Sequence, residues 1–460
     1  MVNSNAIMNK MFVVLASLLL GLCTTVTQAQ SFHNWAPTPP MGWNSWDCYG
    51  PTVTETEVKA NADYMATYLK KYGWEYIVVD IRWYVGNDKA HGYNEKDAEL
   101  SMDGYGRFTP AVNRFPSAAD GKGFTALASY IHKKGLKFGI HIMRGIPVEA
   151  VKRNLPILGS KATARDVYTD SIQCKWLRDM YTVVAGKEGA QEYYNSIIDM
   201  YASWGVDFIK CDDLSRPYHA AEIEMLRKAI ARTGRKIVLS TSPGETPLPD
   251  AKHVQEHANM WRTVDDFWDN WKHLKEHFDV FERWNPYRVT GGWPDGDMLP
   301  LGRIGIRAER GNNRMSAFTK DEQYTLMTLW CIFRSPLFFG GDLPSNDAFT
   351  LSLITNKEVL GVLNHSKNNK PLFNKNGLVA WIAEDANGKD KYLALFNALD
   401  KPDANATTVN IPATWSELGI TGKASVKDLW SGKQLGEFAG EFSPAIPYHG
   451  AGLYKLSIKK

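Results

Sequence analysis

The sequence predicts a (β/α)8 TIM barrel followed by a C-terminal antiparallel β-sandwich domain. Three observations lead there. Short apolar runs recur along most of the chain, each followed by polar residues and then by a stretch of helical periodicity. One of them, Asp207-Phe-Ile-Lys-Cys-Asp-Asp213, reads as a buried parallel strand whose C-terminal end opens into charge. From about Asn364 the texture changes to short strand-like runs separated by Gly, Asn, Asp and Pro turns.

Size and composition agree with this division. At 460 residues the chain is too long for one ordinary domain. A hydrophobic share of 44% with 22% charged residues marks a globular protein, and a net charge of +3 gives no electrostatic case for nucleic acid or an anionic membrane as partner. Aromatic residues are abundant, with 16 Trp, 20 Tyr and 19 Phe, which suits both a large core and a site that stacks on a sugar or a base. At the N-terminus, Lys10 precedes an apolar run from Met11 to Leu22, and Thr27-Gln-Ala29 has the small residues of a cleavage site. Residues 1–29 are therefore expected to be a signal peptide, and the mature protein secreted or periplasmic with no membrane span. Lipid attachment at Cys23 is the lesser alternative, because Leu22 stands where such a signal wants Gly or Ala. The remaining Cys48, Cys174, Cys211 and Cys331 are widely spaced, without a Cys-x-x-Cys pair, so neither a zinc site nor a disulfide framework is indicated.

The barrel is expected over residues 36–363. Met41 to Trp46 is the first strand; Thr54 and Glu57 form a capping box for a helix that carries Val58, Ala62, Met65 and Leu69 on one face and stops at Gly73. Tyr76 to Asp80 is the second strand, followed by a polar excursion from Gly92 to Gly123. A helix from Phe124 to Lys134 leads to the third strand, Leu136 to Ile142, and a second excursion runs from Arg144 to Lys187. The helix Ala190 to Trp204 delivers the fourth strand, Asp207 to Asp213, and the helix Ala220 to Arg232 the fifth, Lys236 to Ser242. Met260 to Asp266 is the sixth, and the helix after it presents Trp271, Leu274, Phe278 and Phe281 on one face. Val289 to Trp293 is the seventh strand and Pro336 to Gly340 the eighth, with a helix around Tyr324 to Cys331 between them. The sandwich, residues 364–460, is expected to use strands near 378–382, 392–396, 407–411, 425–430 and 452–458 and no helix.

In a barrel the C-terminal strand ends converge on one face, so their polar residues must be read together. They are Trp46, Asp80, His141, Lys210, Asp212, Arg262 and Asp266, with Asp295 and Asp297 in the seventh loop. Nothing among them pairs a nucleophilic Ser with a His. Aspartates at strand ends also suit a divalent cation, and a metal-dependent lyase is a competing reading that EDTA-insensitive turnover would remove. His141 by itself is no adequate ligand set, so no metal and no cofactor are expected. Paired carboxylates beside aromatic platforms are what glycoside hydrolysis needs: one attacks the anomeric carbon or activates water, the other protonates the leaving oxygen. Lys210, two residues before Asp212, points to the same side of the strand and favours its ionised form. Read alone, Asp207–Asp213 is equally compatible with a buried strand that ends in solvated charge.

Four motifs in order, Met41-Gly-Trp-Asn-Ser-Trp46, Lys210-Cys-Asp-Asp213, Trp261-Arg-Thr-Val-Asp-Asp266 and Trp293-Pro-Asp-Gly-Asp-Met-Leu299, resemble those of the glycoside hydrolase family 27 α-galactosidases and α-N-acetylgalactosaminidases. The resemblance implies a retaining exo-glycosidase that releases terminal α-D-galactose from a carbohydrate substrate. By position, Asp212 resembles the family's nucleophile and Asp266 its acid/base, while Trp46, Asp80, Lys210, Arg262 and Asp297 resemble its sugar-binding residues. His141 takes the place of an aromatic substrate contact. Departures from the pattern concern the sugar. Two consecutive Asp are usual after the second strand, and here Asp80 is followed by Ile81. Ser240-Thr-Ser-Pro-Gly244 replaces a segment that holds a Glu reading the 2-position, and Leu214 replaces a disulfide-forming Cys. An α-N-acetylgalactosaminidase or a β-L-arabinopyranosidase therefore remains an alternative, and a catalytically silent carbohydrate-binding barrel is the outsider. The oligomeric state is left open.

Overall fold

A computed structural model describes residues 32–242 and 244–458; the expected signal peptide and Pro243 lie outside them. Eight parallel strands form one curled sheet: β1 (Met41–Asn44), β2 (Tyr76–Val79), β3 (Lys137–Met143), β4 (Phe208–Asp212), β5 (Val238–Thr241), β6 (Met260–Arg262), β7 (Trp293–Asp295) and β8 (Leu337–Phe339). Their order is β7-β6-β5-β4-β3-β2-β1-β8. The ring is closed just beyond β7, where Leu299 bridges in parallel to Phe339 and its amide donates to the Phe338 carbonyl at 2.7 Å. Gly42 in β1 is required by close packing, since a Cβ there would lie 2.6 Å from the Tyr76 carbonyl oxygen.

The helices that cover this sheet are α1 (Glu55–Tyr64), α2 (Thr125–Lys133), α3 (Ala190–Trp204), α4 (Ala220–Arg232), α5 (Ala251–His257), α6 (Trp271–Trp284), α7 (Lys320–Phe333) and α8 (Lys357–His365). The capping box expected at Thr54 forms, with Glu57 Oε2 accepting from the Thr54 amide at 2.9 Å. After Tyr64 the helix loosens into a π turn and a 3-10 turn before stopping at Gly73 in the left-handed region. The excursion that follows β3 is partly ordered, with Met180–Val183 pairing to both Ile146–Pro147 and Tyr168–Thr169.

Two strands differ most from their expected spans. The sixth ends at Arg262, not Asp266, so Asp266 belongs to the loop above it. The seventh is Trp293–Asp295 and not Val289 to Trp293: Val289 and Gly292 exchange hydrogen bonds at 3.0 Å across a tight turn, which folds the chain back where an extended run was expected.

The C-terminal unit is a six-stranded antiparallel sheet of β9 (Ser366–Lys375), β10 (Leu378–Asp385), β11 (Lys391–Asn397), β12 (Lys423–Asp428), β13 (Gln434–Ala439) and β14 (Ala451–Ile458), in the order β9-β10-β11-β14-β12-β13. Short ladders, 408–410 with 445–447 and 413–414 with 441–442, cover one face as the second layer of a sandwich. Contrary to expectation this unit contains a helix, the single turn Trp415–Leu418, whose Thr414 cap places Trp415 and Leu418 in the sandwich core. Strand alternation decides what each face meets. Ala380, Ile382, Leu393 and Leu395 fill the sandwich, whereas Val379, Trp381, Ala394 and Phe396 join the barrel's core. The buried α7 lies between the two units: Phe333 meets Trp381 edge-on at 6.0 Å, and Thr328 accepts a hydrogen bond from the Trp430 indole at 2.9 Å. Trp381 and Trp430 are therefore packing residues.

Candidate active site

The register of the parallel strands brings the charged tips together. His141 is the Cα partner of Lys210, Met143 of Asp212, and Asp295 of Arg262. Phe208, Lys210 and Asp212 alternate onto one side of β4, so the lysine and the aspartate share a wall. Asp80 at the end of β2 accepts from Lys210 Nζ at 2.9 Å and from Asn44 Nδ2 at 2.7 Å, and its own amide donates to Ser45 Oγ at 2.9 Å. The first strand thus serves as a bracket for Asp80. Opposite, Arg262 reaches Asp297 at 2.8 Å and Asp266 at 3.2 Å. Asp297 has a φ of 79°, a left-handed turn residue, and its Oδ2 also accepts from the Phe267 amide at 2.8 Å. Every residue expected in the site except Trp46 is therefore joined to another expected one by a hydrogen bond or ion pair.

The two candidate catalytic carboxylates have different surroundings. Asp212 is buried, accepts from His141 Nε2 at 2.7 Å and has its other oxygen on the Asp213 amide. An ionised carboxylate only accepts, so His141 Nε2 carries the hydrogen; His141 is fully buried beneath Asp212. Asp266 is at the rim, with 37% of its side chain exposed. Burial pushes the Asp212 carboxyl above the usual range, and His141 and Lys210 offset only part of that cost. For Asp80 burial also opposes the charge, but Lys210, His141 and the hydrogen bonds outweigh it and hold the carboxyl below its ordinary value. Burial likewise works against a charged Lys210, yet Asp80, Asp297 and Asp212 raise its pKa overall and keep the ammonium.

Four residues that the sequence reading did not single out join the site. Tyr93, from the excursion after β2, stacks on Trp46 with centroids 6.0 Å apart at 25°, and Trp176, from the excursion after β3, continues the row at 6.0 Å from Tyr93. Arg82 fixes this row, lying 5.5 Å over the Tyr93 ring while pairing with Asp179 and Asp88. The result is an aromatic wall from buried Trp46 to the 39% exposed Trp176. Tyr93 and Trp176 come from irregular segments, whose only signal is an aromatic in a polar loop above a strand end. Asp47 is buried with Oδ2 lacking a hydrogen-bond partner, and burial followed by Asp297 pushes its carboxyl far up. Its signal was adjacency to the Trp46 motif. Asp213, by contrast, turns away through a φ of 61° and pairs with Arg144 at 2.8 Å. The four described cysteines are free and buried.

Carboxylates at the C-terminal mouth of a barrel, one buried on hydrogen-bond donors and one at the rim beside aromatic rings, define a glycoside hydrolase. Comparison with known proteins agrees. Residues 148–365 match the family model described as alpha galactosidase A, and residues 375–456 match the alpha galactosidase C-terminal beta sandwich domain. A β-L-arabinopyranosidase structure from Geobacillus stearothermophilus, in complex with arabinose, is 50% identical with a TM-score of 0.90, covering 94% of this chain and 99% of that one. A Bacillus halodurans structure provisionally described as an α-N-acetylgalactosaminidase is 47% identical with a TM-score of 0.82, covering 92% and 97%. Alpha-galactosidase 2 of Arabidopsis thaliana is 28% identical over 433 residues, 92% of this chain and 91% of the relative. The chain belongs to glycoside hydrolase family 27, the melibiase-like family. Among the described residues no helix is long and apolar enough to cross a membrane.

Proposed function

We propose that this enzyme releases terminal β-L-arabinopyranose by double displacement with retention, and that α-D-galactosides are poorer substrates of the same site. The observation that carries the choice of sugar is Ile81, a buried aliphatic residue directly after Asp80, where family members usually have a second hydroxyl-binding Asp. β-L-Arabinopyranose has the ring stereochemistry of α-D-galactose without the exocyclic CH2OH. An aliphatic side chain offers no acceptor, and a sugar hydroxyl left unpaired in a dry site costs about 1–3 kcal/mol. The 50% identity to a β-L-arabinopyranosidase supports the same reading. Hydrolysis of α-D-galactosides is the second reading, favoured by the galactosidase relatives.

In the first step an Asp212 oxygen attacks the anomeric carbon. The glycosidic bond breaks with its electron pair on the leaving oxygen, which takes the proton of Asp266. In the second, Asp266 removes a proton from water, the water oxygen bonds to the anomeric carbon, and Asp212 leaves as carboxylate. His141, hydrogen-bonded to Asp212, stabilises that carboxylate at both ends of the cycle. Trp46 with Tyr93 supplies a face for the apolar side of the sugar, and Asp80, Lys210, Arg262 and Asp297 supply its hydroxyl contacts. Export after cleavage at Ala29 belongs to the same proposal, and N-terminal sequencing of the mature protein tests it.

Aryl β-L-arabinopyranoside, α-D-galactoside and α-N-acetylgalactosaminide compared by kcat/KM test the sugar; a preference for either of the latter two overturns it. Asp212→Ala should abolish turnover and recover part of it with azide, and full activity in that variant removes the mechanism.

A further inference from the structure

Outside the carboxylate cluster, α4 and α5 bring together Glu224, His253 and His257. The sequence, read through its cysteines and strand ends, gives no sign of this group, because the residues come from two helices separated by β5. His253 and His257 are one helical turn apart on α5, so both face α4, and their rings stack with centroids 4.2 Å apart at 20°. One ligand atom from each of the three residues lies within 4.8 Å of the others. His253 Nε2 is already 3.5 Å from Glu224 Oε1. Ligands about 2.0–2.1 Å from a tetrahedral zinc ion stand roughly 3.4 Å apart, so the His253–Glu224 edge has the required length.

The hydrogen bonds around the rings leave the correct atoms free. His257 Nδ1 is 2.7 Å from the His253 carbonyl oxygen, which only accepts; Nδ1 therefore carries the hydrogen and Nε2 keeps its lone pair. His253 Nδ1 is 2.7 Å from the Tyr218 hydroxyl, while its Nε2 is buried with no hydrogen-bond partner. His257, with Nδ1–H held by a carbonyl oxygen, has the outer-shell arrangement of a metal-binding histidine, and the Tyr218 hydroxyl, which can accept from Nδ1–H, allows the same arrangement at His253.

We propose that Glu224, His253 and His257 bind one divalent transition-metal ion, zinc by the character of its ligands, on the helical wall of the barrel. Two imidazoles and one carboxylate suit zinc with water in the fourth position, whereas magnesium and calcium demand oxygen ligands. The ion takes no part in glycoside cleavage. It clamps α4, which follows the strand of Lys210 and Asp212, to α5, which leads into the strand of Arg262. Binding to the folded state alone then raises thermal stability by mass action.

The test uses tag-free full-length protein treated with EDTA, dialysed and titrated with zinc chloride by calorimetry, with magnesium chloride as comparison. The expected result is one zinc ion per chain, no heat with magnesium, and a Tm raised by about 3–6 °C at saturating zinc. His257→Ala and Glu224→Gln, at half-buried positions, should keep the metal-free Tm and glycosidase activity of the parent but lose more than about tenfold in zinc affinity. Absence of stoichiometric uptake by the parent overturns the proposal. So does undiminished uptake by both variants, which would put the ion elsewhere.

Discussion

His141 Nε2 lies 2.7 Å from Asp212 Oδ2, a contact between residues 71 positions apart in which a fully buried imidazole holds the candidate nucleophile. The hydrogen bond counters part of the rise that burial imposes on the Asp212 carboxyl. Removing the donor in His141→Ala should therefore raise the Asp212 pKa further. The nucleophile works ionised, so the acid limb of the kcat/KM profile should move to higher pH, with activity at its plateau lowered by about 10–100-fold for a charge-assisted hydrogen bond. His141→Gln, which retains a donor, should recover part of both. A limb that stays in place in His141→Ala would leave His141 with a packing role only.

Ile81 controls the sugar in the proposed function. Ile81→Asp restores the pair of carboxylates usual in the family, and the ratio of α-D-galactoside to β-L-arabinopyranoside kcat/KM should rise by about 10–100-fold. An unchanged ratio in a folded variant would remove Ile81 as the determinant.

Trp176 is 39% exposed at the outer end of the aromatic row, so its loss should leave the Tm unchanged. Trp176→Ala should raise KM for oligosaccharides that extend past the first sugar by about 2–10-fold, the equivalent of one stacking contact. Simple aryl glycosides should respond less. Equal effects on both substrate classes would argue against a platform for the leaving group.

Asp295 is buried behind Arg262, and burial followed by the charge of Asp297 raises its pKa to about 7. Because the folded value lies above the unfolded one, the folded state binds the proton more tightly. That contribution is complete below about pH 4 and is lost as pH rises through 7. Asp295→Asn mimics the protonated form and its amide oxygen can still accept from the Asp297 amide. At pH 8 the variant should be more stable than the parent by on the order of 2–4 kcal/mol, with the advantage gone near pH 4. Urea unfolding at the two pH values checks this, and equal stability at pH 8 would contradict it.

What the sequence left illegible has identifiable causes. The two strands of the six-stranded sheet that its pattern did not suggest, β9 and β13, are the two edges of that sheet. Edge strands keep one side open and carry lysines, proline and other polar residues in place of apolar alternation, as Ser366–Lys375 does with Lys367, Lys370 and Pro371. The shift of β7 has another source. Val289 to Trp293 is apolar enough for a strand, but Gly291 adopts a φ of 81° and the chain turns. Tyr93 and Trp176 come from loops without any period, so nothing local announces that they stack.

By itself the sequence determined the alternation of buried strands and amphipathic helices, the change to a β-rich C-terminal unit, and the charged residues at the strand tips. These are properties of near neighbours along the chain, set by side-chain periodicity and capping. Only the tertiary structure decided which of those residues touch: that His141 lies under Asp212, that Asp213 turns away to Arg144, and that Glu224 meets His253 and His257. Such contacts follow from closing the barrel and packing helix on helix, which fix distances between residues far apart in sequence and which local periodicity does not encode.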